Sequence, residues 1–201
     1  MAGIENAKTK TLIYHLTQVD NFESIVQSGL LSRRTIMEKK MKFSNVADMD
    51  IISKRTKLGL DCYVPFHFHP YSAFDVAVKN TYDAQRMMYM CIKRTFARQK
   101  GFKILPKHPL SGAECVLYDY DEGFNLIDWD TLTTKNINTE YAKEVKMAEC
   151  LINRCIPISW FSQLYVPSQE VYDEVVGIMD ECEISLYNRP RVNILPIWFN
   201  Y

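Results

Sequence analysis

The sequence predicts an α+β protein. Strand-like segments outnumber helical ones and come in mixed order, without the regular alternation that a doubly wound parallel sheet requires. At 201 residues the chain suits a single domain spanning 1–201, large enough to enclose both a core and a cleft. A hydrophobic fraction of 47% with only 7 Gly and 8 Pro predicts an ordered globule rather than a linker-rich chain.

The elements follow in order. "TLIYHLT" (11–17) is short, apolar and β-branched, and reads as a buried strand. In "VDNFESIVQSGLLS", Asp20 stands three residues before Glu23 as a capping-box start, Phe22, Ile25 and Val26 form an apolar stripe, and Gly29 is a C-cap. Residues 33–60 are rich in charge with scattered apolar positions, which predicts a flexible cover rather than a core segment. "CYVPFHFHPYSAF" (62–74) reads as a strand ending at Pro70, then a helix running to Val78. "RMMYMCIKR" is a strand, "TFARQKG" a short helix with a glycine stop, and "FKILP" another strand. "ECVLYDY" fits helix or strand equally. After "FNLIDWDTL" and the polar "TTKNINTEYAKEVK" comes "KMAECLINRCIP" (146–157). Taken alone this run favours a helix, with Val145, Ala148, Leu151, Ile152 and Cys155 on one face and Glu149 toward solvent. As a strand it turns Glu149 into a half-buried surface, where a carboxylate must be paired or functional. "FSQLYVPS" is strand-like, Asp173 and Glu174 belong to a helix ending near Cys182, and "RPRVNILPIWFN" closes as an edge strand with two prolines.

Composition excludes several classes. With zero formal net charge and a pI near 6.9, no global field draws the protein to polyanions or membranes. Six cysteines, Cys62, Cys91, Cys115, Cys150, Cys155 and Cys182, lack C-x-x-C spacing and suggest reduced, cytoplasmic thiols. The start "MAGIENAKTK" has no apolar h-region, Met-Ala-Gly is not a myristoylation start, and no apolar run approaches a membrane span. No Walker loop, G-x-G-x-x-G or G-x-S-x-G occurs.

Histidines and basic residues leave alternatives open. His15 in an apolar strand fits a hydrogen-bonded core imidazole as well as a site residue. His67 and His69 have i, i+2 metal-ligand spacing, but no further ligands flank them, so no metal is expected. Two basic clusters occur: Lys39, Lys40, Lys42, Lys54, Arg55 and Lys57, then Arg94, Arg98, Lys100, Lys103 and Lys107. They read as solvated faces or, with Phe43, Phe96 and Phe102, as a groove for single-stranded nucleic acid.

In family order, "IYHLTQVDNFESIVQSGLL", "DIISKR" before "DCYVPFHFHPYSAF", "LIDWDTL", "VKMAECLI" and "RPRVNILPIWFNY" resemble the DarT family of DNA ADP-ribosyltransferases. The resemblance runs through nearly the whole chain. It implies an ADP-ribosyltransferase fold with a split mixed β-sheet, an NAD-binding cleft, and transfer of ADP-ribose from NAD to a base, thymidine foremost, in single-stranded DNA. It also turns the reading of 146–157 from helix to strand, because Glu149 matches the catalytic glutamate, preceded by an acceptor loop at 128–145. Arg55 matches the essential arginine, His15 the NAD-contacting histidine, and Thr17, Asn21 and Leu30 lie beside it. Residues 33–60 would fold over NAD. Where the family reads something like F-N-P-R-S-P-M, this chain has "FHPYSAF", placing His69 for asparagine and Tyr71 for arginine. Tyr71 then either stacks on nicotinamide or simply packs. The implied partners are single-stranded DNA and a macrodomain antitoxin of the DarG type, in the cytoplasm. The same fold acting on guanine, RNA or protein, or as an inactive NAD- or DNA-binding module, is the alternative.

Overall fold

Among the described residues two four-stranded sheets meet at a short junction. The computed structural model describes residues 5–46, 49–108, 115–135 and 137–200. The opening Met-Ala-Gly-Ile, Ala47 and Asp48 of the charged segment, Asn136 of the polar loop and the terminal Tyr201 lie outside the described residues. In chain order the elements are β1 (Leu12–Gln18), α1 (Phe22–Ser28), α2 (Arg33–Glu38), α3 (Met49–Lys57), β2 (Val64–Phe66), α4 (Ala73–Thr81), β3 (Met87–Lys93), α5 (Arg94–Gln99) and β4 (Lys103–Leu105). Then follow β5 (Tyr118–Asp119), α6 (Tyr120–Leu126), α7 (Trp129–Thr133), α8 (Glu140–Val145), β6 (Glu149–Ile152), β7 (Gln163–Val166), α9 (Gln169–Glu181) and β8 (Arg191–Ile194).

One sheet has the order β1-β3-β7-β8 and the other β2-β6-β4-β5. Their pairings are antiparallel except β7 with β8, which is parallel and leaves β8 at an edge, as its prolines foretell. The sheets join where Tyr14 N–H donates to His67 O at 2.9 Å and His67 N–H donates to Tyr14 O at 2.8 Å. Beyond that junction β1 and β2 diverge, and the split between them opens a cleft.

Burial on both faces explains which strands the sequence shows clearly. Every residue of β3 from Met87 to Ile92 is buried. Met88, Met90 and Ile92 join Ile13, Phe66, Ile104, Cys150 and Leu164 in the main core, while Met87, Tyr89 and Cys91 pack with Tyr14, Leu16 and Phe199 on the other side. Strand β6 is likewise buried throughout: Cys150 and Ile152 enter the main core, and Leu151 packs with Leu60 and Leu105. A strand covered on both sides shows a continuous apolar run rather than alternation, which is why residues 146–157 also fit a helix.

Several expectations are corrected. The strand after Tyr63 ends at Phe66, not Pro70, and α4 continues to Thr81, past Val78. "ECVLYDY", which fitted helix and strand alike, is both: Glu114 lies outside the described residues, Tyr118–Asp119 is strand and the helix begins at Tyr120. The charged segment 33–60 carries α2 and α3, neither with a buried residue, as a cover rather than a core segment would, and the polar stretch before Glu149 contains α8, capped by the Thr139 hydroxyl accepting from Ala142 N–H. The Asp20–Glu23 capping box does not form, because residues 19–21 make a 3₁₀ turn and Asp20 pairs with Arg86 at 2.7 Å. In the second basic cluster Arg94 is no groove cation. It is buried and donates to the carbonyls of Leu12, Lys8 and Phe68, with its guanidinium over the Phe68, Phe124 and Trp129 rings. Phe102 is buried as well. Among the described residues no helix is long and apolar enough to cross a membrane.

Gly29 fixes the turn from α1 into the cleft. It has φ +80°, and a Cβ there would lie 2.3 Å from Cys155 Sγ and 3.1 Å from Ile156 O. The close approach lets Leu30 and Ile156 exchange backbone hydrogen bonds at 2.8 and 3.0 Å. We expect Gly29→Ala to lower stability by about 2–4 kcal/mol, from backbone strain plus overpacking. Chemical denaturation checks this, and a loss below about 0.5 kcal/mol would mean the turn relaxes freely.

Candidate active site

The cleft between the sheets is lined from β1 by His15, Leu16 and Thr17, from the turn after it by Asn21, and from the segment after α1 by Leu30. The described part of 33–60 contributes Arg33, Phe43, Ser44, Asn45, Ile51, Ile52 and Arg55 to its walls, and Glu149 lines it as well. Of the seven residues singled out from the sequence, the structure therefore brings together His15, Thr17, Asn21, Leu30, Arg55 and Glu149. Tyr71 is not among the cleft's walls. It is 7% exposed, its Oη faces Ile197 O at 3.5 Å, and the Lys79 ammonium lies 5.1 Å from its ring centroid. The chain leaves β2 and turns at Pro70 into α4, and in this structure the Tyr71 ring packs against Lys79. His69 does not line the cleft either, and its Nδ1 accepts the Tyr71 N–H at 3.1 Å. Of the stretch "FHPYSAF", Phe74 lines the cleft while His69 and Tyr71 do not.

Glu149 opens β6 with its backbone opposite Leu105, and it is 3% exposed. Arg55 Nη1 donates to both of its oxygens, at 2.6 and 2.9 Å, while Arg55 Nη2 donates to Leu60 O at 3.3 Å. Gly59, at φ +69°, ends the helical stretch and folds residues 60–62 back so that this carbonyl meets the guanidinium. Lys54, the neighbouring cation, does not line the cleft. Burial pushes the Glu149 carboxyl up, but Arg55, with His67 and His108, outweighs it and holds the group below its ordinary value of 4.5. The carboxylate is therefore ionised at neutral pH.

His15 Nδ1 lies 2.8 Å from Pro65 O. A carbonyl only accepts, so Nδ1 carries the proton and Nε2 is the acceptor. Burial pushes this imidazole down to about 4, and the same cause takes His69 to about 3. Both are neutral at pH 7. Below pH 6.5 the unfolded chain takes up protons that the folded chain refuses until these lower values are reached, so stability falls as pH drops from about 6.5 toward 4. We expect Tm to fall steadily over that window, and a flat Tm there would show that both rings accept protons in the folded state.

Asn21 ties down the part of the wall at Ser44. Its Nδ2 donates to Thr17 Oγ1 at 3.2 Å and to Ser44 O at 3.0 Å, and its Oδ1 accepts from Ser44 N–H at 2.7 Å. Next to Ser44, Phe43 lies under the Arg33 guanidinium at 5.4 Å, and Arg33 also donates to Asn45 Oδ1 at 2.9 Å. A planar ring, a cation and neutral hydrogen-bonding groups along one wall, with an anion in the same cleft, suit a long ligand that carries phosphates and a sugar. Three further wall residues escaped the sequence reading: His67 and His108, whose charges act on Glu149, and Asp75. Of the three only His67 carried a signal, the "HFH" spacing, which points to metal. Among the described residues no group of three His, Cys, Asp or Glu is arranged to hold an ion.

Comparison with known proteins bears on this cleft. Residues 14–200 match the family model described as "ssDNA thymidine ADP-ribosyltransferase, DarT". The DNA ADP-ribosyl transferase of Thermus sp. (strain 2.9) is 24% identical over 203 residues, covering 94% of this chain and 96% of that protein. A DNA ADP-ribosyl transferase–DNA ADP-ribosyl glycohydrolase fusion protein of Thermosipho africanus is 23% identical, covering 92% of this chain and 50% of its own length. The Thermus sp. 2.9 DarT structures superpose with TM-score 0.79 in complex with ADP-ribosylated ssDNA and 0.76 in complex with NAD+. These are 23% and 22% identical, and cover 94% and 96% of this chain and 96% and 98% of theirs. Likeness at that identity establishes a shared α+β fold.

Proposed function

Because this chain belongs to the DarT family of single-stranded DNA ADP-ribosyltransferases, and so is an ADP-ribosyltransferase, we propose that it transfers ADP-ribose from NAD to thymidine in single-stranded DNA and releases nicotinamide. The observation that carries the reading is the buried Glu149 carboxylate, held through both oxygens by Arg55 in the lining of the cleft. The Thermus relative solved with NAD+ and with ADP-ribosylated ssDNA supports both substrates.

The chemistry follows from charge. Breaking the bond between nicotinamide N1 and ribose C1″ sends the bonding pair to nicotinamide and leaves positive charge on the sugar. A fixed anion beside that ring stabilises the transition state more than the ground state. Glu149 supplies the anion and hydrogen-bonds the ribose, and Arg55 keeps it ionised and oriented. The ring nitrogen of the base then attacks C1″, and its proton passes toward the Glu149 carboxylate. His15, Thr17, Asn21 and Leu30 hold NAD along β1 and α1, under the wall to which the described part of 33–60 contributes. Duplex DNA hides the base edge in its stack, so a single strand is the natural acceptor.

Incubation with labelled NAD and oligonucleotides each lacking one base tests the acceptor. Label is expected on every strand that contains thymidine and on none that lacks it, and label independent of thymidine would defeat the choice of base. Acting as a toxin in the cytoplasm, the chain should arrest bacterial growth on expression, and Glu149→Ala should relieve the arrest. The fusion of a relative to a glycohydrolase supports a DarG-type macrodomain antitoxin as partner.

A further inference from the structure

A groove that shares no residue with the cleft lies between the N-terminal turn, α5 and α6. Lys8, Lys10, Arg94 and Arg98 line it beside one acid, Asp121, which leaves a surplus of three positive charges in one place on a chain whose formal net charge is zero. Arg94 is buried, and its hydrogen bonds go to the carbonyls of Leu12, Lys8 and Phe68, so no carboxylate among them offsets its charge. Lys10 is partly buried, and burial and then the neighbouring Arg94 push its ammonium down, with Glu5 acting the other way. Arg98 pairs with Asp121 at 2.6 Å, but the two side chains are 61% and 62% exposed, and an ion pair so open to water holds weakly. Like charges gathered in one groove attract an anion.

The groove also carries flat apolar surface and adjoins the segment before Glu149. Tyr120 and Phe124, both in its lining, stack at 6.0 Å between centroids and 10°. Phe124 packs in turn on Trp129 at 4.7 Å, and Trp129 opens α7 in the stretch 128–145, matched above to the family's acceptor loop. From the same stretch Lys135 pairs with Glu5 at 3.1 Å, and Glu5 acts on Lys10. A ring contact and a chain of charges thus join the groove to the acceptor segment. Cations interleaved with aromatic faces suit a single strand, because phosphates meet the former and bases stack on the latter.

We propose that this groove holds backbone phosphates of the single-stranded acceptor to one side of the base that reacts. The proposal rests on the reading of single-stranded DNA as the acceptor. Lys8, Lys10 and Arg98 meet the phosphate oxygens, while the buried Arg94 adds its field without leaving its carbonyls. Asp121 works against the strand, since it occupies Arg98 and repels phosphate. Contacts of this kind place a strand and carry no sequence information, so the groove fixes where the acceptor lies and not which base is chosen. No bond is made or broken in it.

Anisotropy of a fluorescently labelled single strand, titrated without NAD over a range of salt concentrations, tests the groove. Lys8→Gln and Arg98→Gln should each weaken binding ~5-fold at about 0.1 M salt and flatten the slope of log affinity against log salt by roughly 0.7, the value of one lost phosphate contact. The loss should be the same on strands with and without thymidine. Asp121→Asn should do the opposite and tighten binding, because it releases Arg98. Lys100→Gln is the control: it removes one positive charge just after α5, where the ammonium lies over the Phe96 and Trp160 rings and does not line the groove. Its affinity should stay within about 2-fold of the unsubstituted chain. All four positions are exposed, and thermal unfolding verifies that each variant is folded. Equal losses in Lys100→Gln, or none in Lys8→Gln and Arg98→Gln, overturn the groove. So does displacement of the strand by inorganic phosphate at the concentration of the strand's own phosphates, which would mark a site for a free anion. Binding is read independently of transfer. If the unsubstituted chain modifies the strand and these differences are missing, the groove alone fails; if the differences appear and no strand is modified, the groove stands and the functional reading fails.

Discussion

Glu149→Gln abolishes ADP-ribose transfer, lowering the rate by ~10³-fold, while the chain still folds. The carboxylate is the fixed anion nearest the sugar in the proposed mechanism, and removing one preorganised charge from a water-poor site costs roughly 10²–10³ in rate. The amide keeps an oxygen that accepts from Arg55, so the guanidinium is not stranded. Its buried ion pair does become a charge–dipole contact, and the loss of stability should be about 1–3 kcal/mol. Gel shift of a labelled oligonucleotide and thermal unfolding of the same sample separate the two effects. A variant that keeps a tenth of the rate would remove Glu149 from the chemistry.

The second large effect is Arg55→Lys, which should lose ~10²-fold or more in rate and remain folded. The guanidinium meets both Glu149 oxygens through Nη1 and the Leu60 carbonyl through Nη2. A lysine ammonium is a single point and cannot span the carboxylate and the turn at the same time. The carboxylate would then lose its orientation even with a positive charge close by. Because the two residues act as one unit, the double variant should be little worse than the worse single one. Strictly additive losses would mean that Arg55 acts on some other part of the substrate.

Tyr71 and His69 show where matching residues to a family pattern stops short. They replace an arginine and an asparagine within a motif next to the cleft, and a change of polar contacts to the ligand was the natural expectation. Neither side chain lines the cleft: Tyr71 reaches Ile197 O in the closing segment, and His69 Nδ1 accepts from the Tyr71 N–H. The residues facing inward from that stretch are His67, Phe74 and Asp75. Asp75 leaves no trace in the sequence, since a carboxylate three positions after a serine reads as an ordinary helix cap.

By itself the sequence determined the α+β class, the places of most strands, the glycine that ends α1 and, through the order of its motifs, the family. These are local or sequential properties: apolar runs, turn residues and short stretches in a given order. Whether Glu149 faces water or the interior was decided by tertiary structure, because β6 is covered on both faces and a strand of that kind has no period to read. The pairing of Glu149 with Arg55 spans 94 residues. It depends on a helix and a glycine turn, from a segment whose charge predicted only loose cover, folding back over the mouth of a split sheet.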